Sequence, residues 1–169
     1  MKTTLHLYAL ALLIPVVITG APGFADDQAG VKKASEIADA LGKRQKMSVN
    51  AAEKVKIDIH AIHFALNSSD VEGDESYRQI RELARALEDP RLRNKKIEVQ
   101  GHTCDLGDED YNRKLSQKRA EEVVRVLSVQ YGIPAENLVA VGKGESEPLK
   151  KGTDENSRAE NRRVTFVKQ

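Results

Sequence analysis

Residues 96–131 decide the fold and read KIEVQGHTCDLGDEDYNRKLSQKRAEEVVRVLSVQY. Ile97 and Val99 alternate with polar residues, which is the period-two pattern of a strand that buries one face. From about Tyr111 to Tyr131 apolar side chains recur at helical spacing, and a glycine at 132 followed by Pro134 closes the helix. The stretch therefore predicts a strand, a loop and a long amphipathic helix.

Similar patterns extend in both directions from this unit. The predicted elements, in chain order, are a helix at 31–44, a strand at 55–64, a turn at 67–70, a helix at 72–89, the strand at 96–101, the helix at 111–131, a short strand at 138–141, a glycine-rich turn at 142–144, a polar loop at 145–160 and a last strand at 164–167. In the first strand, Ile62, Phe64 and Leu66 alternate onto one face. The order predicts an α+β fold of the form βαβαββ, with two layers and the helices on one face of a mixed sheet, and with the two strands of the first crossover parallel.

Composition excludes several classes of function. The chain has 169 residues, 40% of them hydrophobic, and its 27 basic and 26 acidic residues nearly cancel. Coating of nucleic acid or binding to an anionic membrane needs a large cationic excess, so neither partner is expected. An aromatic content of 4% gives little for bases to stack on, and a single cysteine excludes an internal disulfide framework.

Residues 1–25 resemble a secretory signal peptide. Lys2 precedes a short apolar run from Ala9 to Ile18, and small residues stand at Gly23 and Ala25, where a signal peptidase would cleave. The run is too short to span a bilayer, which needs roughly 20 apolar residues. We expect a cleavable signal at 1–25, a linker with a short helix at 26–54 and a domain at 55–169. The exported protein would have 26 basic and 26 acidic residues and no transmembrane segment.

Arg119 breaks the pattern of the long helix. It lies four residues after Leu115 and four before Val123, on the apolar stripe. A buried guanidinium without an acceptor costs several kcal/mol, so two interpretations stay open. Arg119 either reaches the rim and pairs with a carboxylate such as Asp105, or it binds the carboxylate of a ligand.

The motifs in this region resemble those of the OmpA-like peptidoglycan-binding domain. The resemblance covers roughly residues 55–168 and consists of several motifs in the family's order. They are Phe64 with Asn67-Ser68, Gly101-His102-Thr103, Gly107, Tyr111-Asn112, Leu115-Ser116, Arg119-Ala120, Val123-Val124, Gly132-Ile133-Pro134, Gly142 to Pro148 and Asn161-Arg162-Arg163-Val164.

The resemblance implies a periplasmic module that binds the stem peptide of peptidoglycan non-covalently and tethers the outer membrane to the cell wall. In the family, an acid after the Gly-His-Thr motif and an arginine hold the amino-acid end of diaminopimelate. That arginine corresponds to Arg119, and Asn112, Thr103 and Arg162 also match family positions. A zwitterion needs one anion and one cation, so the implied pocket is chemically reasonable.

The family's acid is replaced here by Cys104. A thiol is mostly neutral at pH 7 and does not balance an ammonium group. Asp105 takes the acid's role in the predicted pocket if the loop bends near Gly107. The alternative is a periplasmic interaction or structural module that has lost the pocket, with a partner that meets residues 26–54.

Cys104 itself has three interpretations: a small buried hydrophobe, a thiol in an intermolecular disulfide, or a metal ligand with a nearby histidine. His60 and His63 would point to opposite faces of a continuous strand, so no metal site is predicted. We also expect no cofactor and no catalysis, because the chain has no nucleophile-elbow, Walker or His-Glu-x-x-His motif.

Overall fold

The structure is a computed structural model that describes residues 30–43 and 54–169. The expected signal peptide at 1–25 and most of the linker at 26–54 lie outside the described residues. Within the described part of the chain, no helix is long and apolar enough to cross a membrane.

Helices and strands alternate along the described chain. The helices are α1 (Ala34–Gly42), α2 (Asp74–Leu87), α3 (Glu109–Tyr131) and α4 (Glu155–Asn161). The strands are β1 (Lys56–Ile59), β2 (His63–Phe64), β3 (Val71–Glu72), β4 (Ile97–His102), β5 (Leu138–Gly144) and β6 (Val164–Lys168).

The main sheet is mixed and has the strand order β1-β6-β4-β5. β6 is antiparallel to both β1 and β4, whereas β4 and β5 are parallel. β1 and β4 therefore run in the same direction, as predicted for the first crossover, but β6 lies between them. The last strand thus completes the centre of the sheet, and the predicted α+β fold with a mixed sheet is confirmed.

One apolar core joins the sheet to α1, α2 and α3. The inward side chains of β4 and β6, Val99 and Phe166, are fully buried. Ile37 and Leu41 of α1 are fully buried in the same cluster, so this helix is packed into the core and its apolar face is not available to a partner. The core also contains Ile59, Ile80, Leu83, Ile97, Val123, Val126 and Leu127.

Local capping chemistry sets the ends of the helices. Asp108 caps α3 by accepting a hydrogen bond from the backbone of Tyr111 at 3.0 Å, and Gly132 ends the helix in the left-handed conformation. Asp154 caps α4 in the same way, through the backbone of Ser157.

The structure corrects the expected strand at 55–64. Regular pairing with β6 ends at Ile59, and the chain then turns to form a separate small ladder, in which Phe64 pairs with Val71 of β3. Leu66 is 91% exposed rather than aligned with Ile62, which is buried. Period-two alternation did not reveal the break, because the residues on both sides of it are apolar.

Two further boundaries differ from the prediction. The expected turn at 142–144 is the end of β5, and the expected loop at 145–160 contains the start of α4. The helix α4 is seven residues long and polar, so it lacks the apolar stripe that identifies a helix in a sequence.

Glycines let α3 lie directly against the parallel strands. A Cβ atom at Gly101 would be 2.2 Å from the backbone oxygen of Ser116, and one at Gly142 would be 2.6 Å from the backbone nitrogen of Gln117. Both contacts are with backbone, which does not move aside cheaply. Glycine is therefore required at these positions by the distance between helix and sheet.

We expect Gly101→Ala to destabilise the fold by about 3 kcal/mol, because α3 must move away from the sheet. Gly132→Ala is the control: a Cβ there has no heavy atom within 4 Å and meets only the strain of the left-handed conformation, with a φ of +70°. That strain costs about 1 kcal/mol. Urea denaturation of both variants measures the difference, and equal losses would contradict the close-approach argument.

The opposite face of the sheet carries a buried polar network. Arg163, 5% exposed, donates to Asp58 at 3.0 Å, and Thr165 donates to the same carboxylate at 2.6 Å. These hydrogen bonds outweigh the cost of burial and lower the pKa of Asp58. His102 is buried beside this network, and neither of its ring nitrogens has a hydrogen-bond partner among the described residues.

His102 should make stability depend on pH. Burial, together with the nearby charge of Arg163, lowers the pKa of His102 from 6.5 to about 4. The unfolded chain therefore takes up a proton at higher pH than the folded protein, and the free energy of unfolding falls as the pH falls from 6.5 towards 4. Between pH 6.5 and 5 the loss is roughly 2 kcal/mol.

Urea unfolding of the wild type and of His102→Asn, measured between pH 7 and 5, tests this. The variant should show a weaker pH dependence in that range, whereas parallel curves would contradict it. Carboxyl groups such as Asp58 and Glu147, whose pKa values are lowered by their hydrogen bonds, add to the slope mainly at lower pH, because carboxyl groups ordinarily titrate near pH 4.

Candidate ligand-binding site

Arg119 of α3 is half-buried without an acidic partner. Its Nε atom donates to the backbone oxygen of Ser68 at 2.9 Å, and its guanidinium lies 4.9 Å from the centre of the Phe64 ring. No carboxylate lies within ion-pairing distance of Arg119 in the described part of the chain, and burial lowers its pKa. Among the described residues, the terminal nitrogens of this guanidinium have no hydrogen-bond partner.

Arg119 faces a cavity of about 320 Å³. This volume is in the range of small-molecule sites. One wall is formed by the segment around β2, another by the end of β4, and a third by the C-terminal end of α4 and the start of β6. Among the side chains that line the cavity are those of Arg119, Arg162, Glu160, His60, His63 and Phe64.

Cys104 lies beside the second arginine of this site. The cysteine is 8% exposed, and its Sγ atom is 4.0 Å from Nη1 of Arg162. Nη2 of Arg162 donates to Glu155, which holds the guanidinium at the cavity wall. The burial of Cys104 agrees with its interpretation as a small buried hydrophobe.

The structure does not bring Asp105 into the cavity. Its carboxylate accepts from Nε of Arg158 at 2.8 Å, and the side chain is not among those that line the cavity. The same hydrogen bond lowers the pKa of Asp105. The loop does bend at Gly107, which has a φ of +102°, but the bend directs Asp105 towards α4. Arg119 is thus not paired with Asp105 either.

Asn112 and Thr103 shape the loop between β4 and α3. Asn112 is 3% exposed, and its Nδ2 atom contacts the backbone oxygens of Cys104 at 3.3 Å and Leu106 at 3.0 Å and the carboxylate of Glu145 at 2.7 Å. Thr103 donates its backbone N–H to Gly144 at 2.9 Å and is 5% exposed. Neither side chain lines the cavity. Asn112 positions the loop that carries Cys104 through its side chain, whereas Thr103 does so through its backbone, and its hydroxyl has no hydrogen-bond partner among the described residues.

Sequence reasoning missed the acidic residue of the cavity. Glu160 lies in the stretch expected to be a loop. The feature of the sequence that could have placed it near the cavity is its position two residues before Arg162. His60 and His63 also line the cavity together, because the chain turns between β1 and β2 instead of continuing as one strand. Within the described ranges, no group of three or more His, Cys, Asp or Glu side chains is placed to hold a metal ion.

A mixed sheet covered by helices on one face, with an arginine-lined cavity beside it, defines a small α+β domain with a candidate ligand site. The model of the OmpA family matches residues 63–162, and the chain belongs to this family. The matched residues include Phe64, Arg119, Glu160 and Arg162 of the cavity, together with His63 but not His60.

Relatives and solved structures are consistent with membership of this family. The chain is 38% identical over 113 residues to outer membrane porin F of Pseudomonas fluorescens, covering 67% of this chain and 33% of that protein. It is 32% identical over 149 residues to the peptidoglycan-associated lipoprotein of Pseudomonas aeruginosa, covering 88% and 81%. The crystal structure of the Burkholderia pseudomallei peptidoglycan-associated lipoprotein matches with a TM-score of 0.56 and 35% identity, over 64% of this chain and 88% of that one. The chain thus spans about a third of the porin but most of the lipoprotein.

The hydrogen bonds from Asn112 to the loop backbone predict that removing this side chain lowers the stability of the protein. We expect Asn112→Ala to destabilise the protein by about 2 kcal/mol, because buried carbonyl oxygens lose their donor. Gln130→Ala, an exposed position on the same helix, should change stability by less than about 0.5 kcal/mol. Thermal and urea unfolding measure both, and a loss at Asn112 no larger than that at Gln130 would contradict the positioning role.

Proposed function

We propose that this protein binds peptidoglycan non-covalently and links the cell envelope to the cell wall. Membership of the OmpA family and the relatives named as peptidoglycan-associated lipoproteins support this role. The observation that carries it is Arg119, a half-buried guanidinium that faces a cavity without a carboxylate partner among the described residues. The proposed role is binding, not catalysis, and it needs no cofactor.

The proposed ligand is the amino-acid end of diaminopimelate in the stem peptide. Its carboxylate would bind the terminal nitrogens of Arg119, and Arg162 adds positive charge on the neighbouring wall. A planar guanidinium suits a carboxylate because two N–H groups can donate in parallel. The ring of Phe64 gives the aliphatic part of the side chain an apolar surface. Thr103 and Asn112 act on this site by fixing the loop around Cys104.

The proposed location is the periplasm, in association with the wall and the outer membrane. The names of the relatives support an envelope location. The signal-like residues 1–25 and the near-zero charge of the remaining chain agree with an exported protein that finds its target through one local site.

A second candidate is an interaction module whose pocket no longer binds the wall. It is favoured by Cys104, which stands where the resemblance places an acid. A link between two copies through this thiol would require the loop to open, because Cys104 is 8% exposed and packed beside Arg162. The two candidates differ in whether the full chain sediments with peptidoglycan.

Co-sedimentation with purified peptidoglycan tests the proposal. Wild-type protein should be recovered in the pellet, and Arg119→Ala should reduce the bound fraction at least tenfold, because loss of a charge-assisted bidentate contact costs roughly 1.5–3 kcal/mol. Arg125→Ala is the matched control: Arg125 lies on the same helix but pairs with Glu122 at the surface, 54% exposed.

Equal recovery of the wild type and Arg119→Ala would rule out the assigned pocket. Absence of both from the pellet, with folding shown by circular dichroism, would instead support the interaction module. A gel without reductant then reports whether that module forms a disulfide-linked dimer.

A further inference from the structure

We infer that Glu160 of α4 forms an ammonium subsite in the cavity, so that the site selects a ligand carrying both a carboxylate and a neighbouring amino group. This inference rests on the proposed function and assigns its specificity to a residue outside the loop that carries Cys104. Among the side chains that line the cavity, Glu160 is the carboxylate.

Glu160 is accessible and has capacity for a further donor. Its side chain is 53% exposed at the cavity wall. Its Oε2 atom lies 3.8 Å from Nε2 of His60, which is longer than a hydrogen bond. A carboxylate accepts several hydrogen bonds, so an ammonium group in the cavity could use both oxygens.

The neighbouring acids are already occupied. Asp105 binds Arg158 at 2.8 Å, and Glu155 binds Arg162. Glu147 pairs with Lys143 at 2.8 Å and does not line the cavity. Of the carboxylates near this end of the sheet, Glu160 is therefore the one that both faces the cavity and lacks a close cationic partner in the described ranges.

The charges of the cavity wall fit a zwitterion. Arg119 lies on α3 and Glu160 on α4, so the cation and the anion approach the cavity from different elements. A ligand with a carboxylate alone would satisfy Arg119 but bring a second negative charge near Glu160. A ligand with an adjacent ammonium group would offer a partner of opposite charge to each residue.

Two small ligands separate these cases. Diaminopimelate and pimelate have the same carbon chain and the same two carboxylates, and differ in the amino groups. We would titrate each into the full chain by NMR and compare the wild type with Glu160→Gln, which keeps the size of the side chain and removes its charge. Glu136→Gln, at an exposed position in the 3₁₀ turn Ala135–Asn137, is the control.

The wild type and the control should prefer diaminopimelate over pimelate by at least tenfold. In Glu160→Gln, affinity for diaminopimelate should fall about tenfold while affinity for pimelate stays equal or rises. Unchanged preference in Glu160→Gln would overturn the subsite, and the proposed function would still stand if Arg119→Ala lost wall binding. If the wild type binds neither diaminopimelate nor peptidoglycan, the proposed function fails and the subsite fails with it.

Discussion

The close packing of α3 on the parallel strands β4 and β5 is the constraint on which the rest of the structure depends. Gly101 and Gly142 remove side chains from the interface, so the helix backbone lies against the sheet. Ser116 then joins the two layers, because its hydroxyl accepts a hydrogen bond from the backbone of Gly144 at 2.8 Å. Because α3 is held at this short distance from the sheet, Arg119, three residues after Ser116, lies at the sheet edge beside the cavity.

The partial burial of the Arg119 guanidinium lowers the stability of the fold. Its guanidinium loses hydration and contacts the backbone oxygen of Ser68 and the ring of Phe64, and within the described chain no carboxylate neutralises it. Elsewhere in the described chain, the most buried arginine, Arg163, is fully engaged with Asp58 and two backbone oxygens. This contrast between a fully hydrogen-bonded arginine and one without a carboxylate partner in the described chain is the reason the proposed site is assigned to Arg119.

Much of the fold could be predicted from residues whose spacing is regular, and much of the site could not. Ile97 and Val99 mark β4, and the apolar residues of α2 and α3 mark those helices, because burial of one face imposes a period. The short elements carry no such period: β2 pairs over two residues, and α4 depends on the cap at Asp154. The position of Arg119 followed from its place on a stripe. Whether Asp105 faced the cavity depended on Arg158, more than fifty residues later, and no local pattern reports such a partner.

The ion pair between Asp105 and Arg158 gives the loop after β4 a different role from the one its sequence predicts. It ties that loop to α4, the helix that carries Glu160 and leads into Arg162. With Cys104 at the position of the family's acid, negative charge at the cavity wall comes from α4, and the orientation of α4 becomes part of the site. In the proposed site, Asp105 would act indirectly, by holding the helix whose far end faces the cavity, and Asn112 holds the loop from the other side. A change at the Asp105–Arg158 pair should therefore move Glu160 and Arg162 relative to Arg119, which stays with α3.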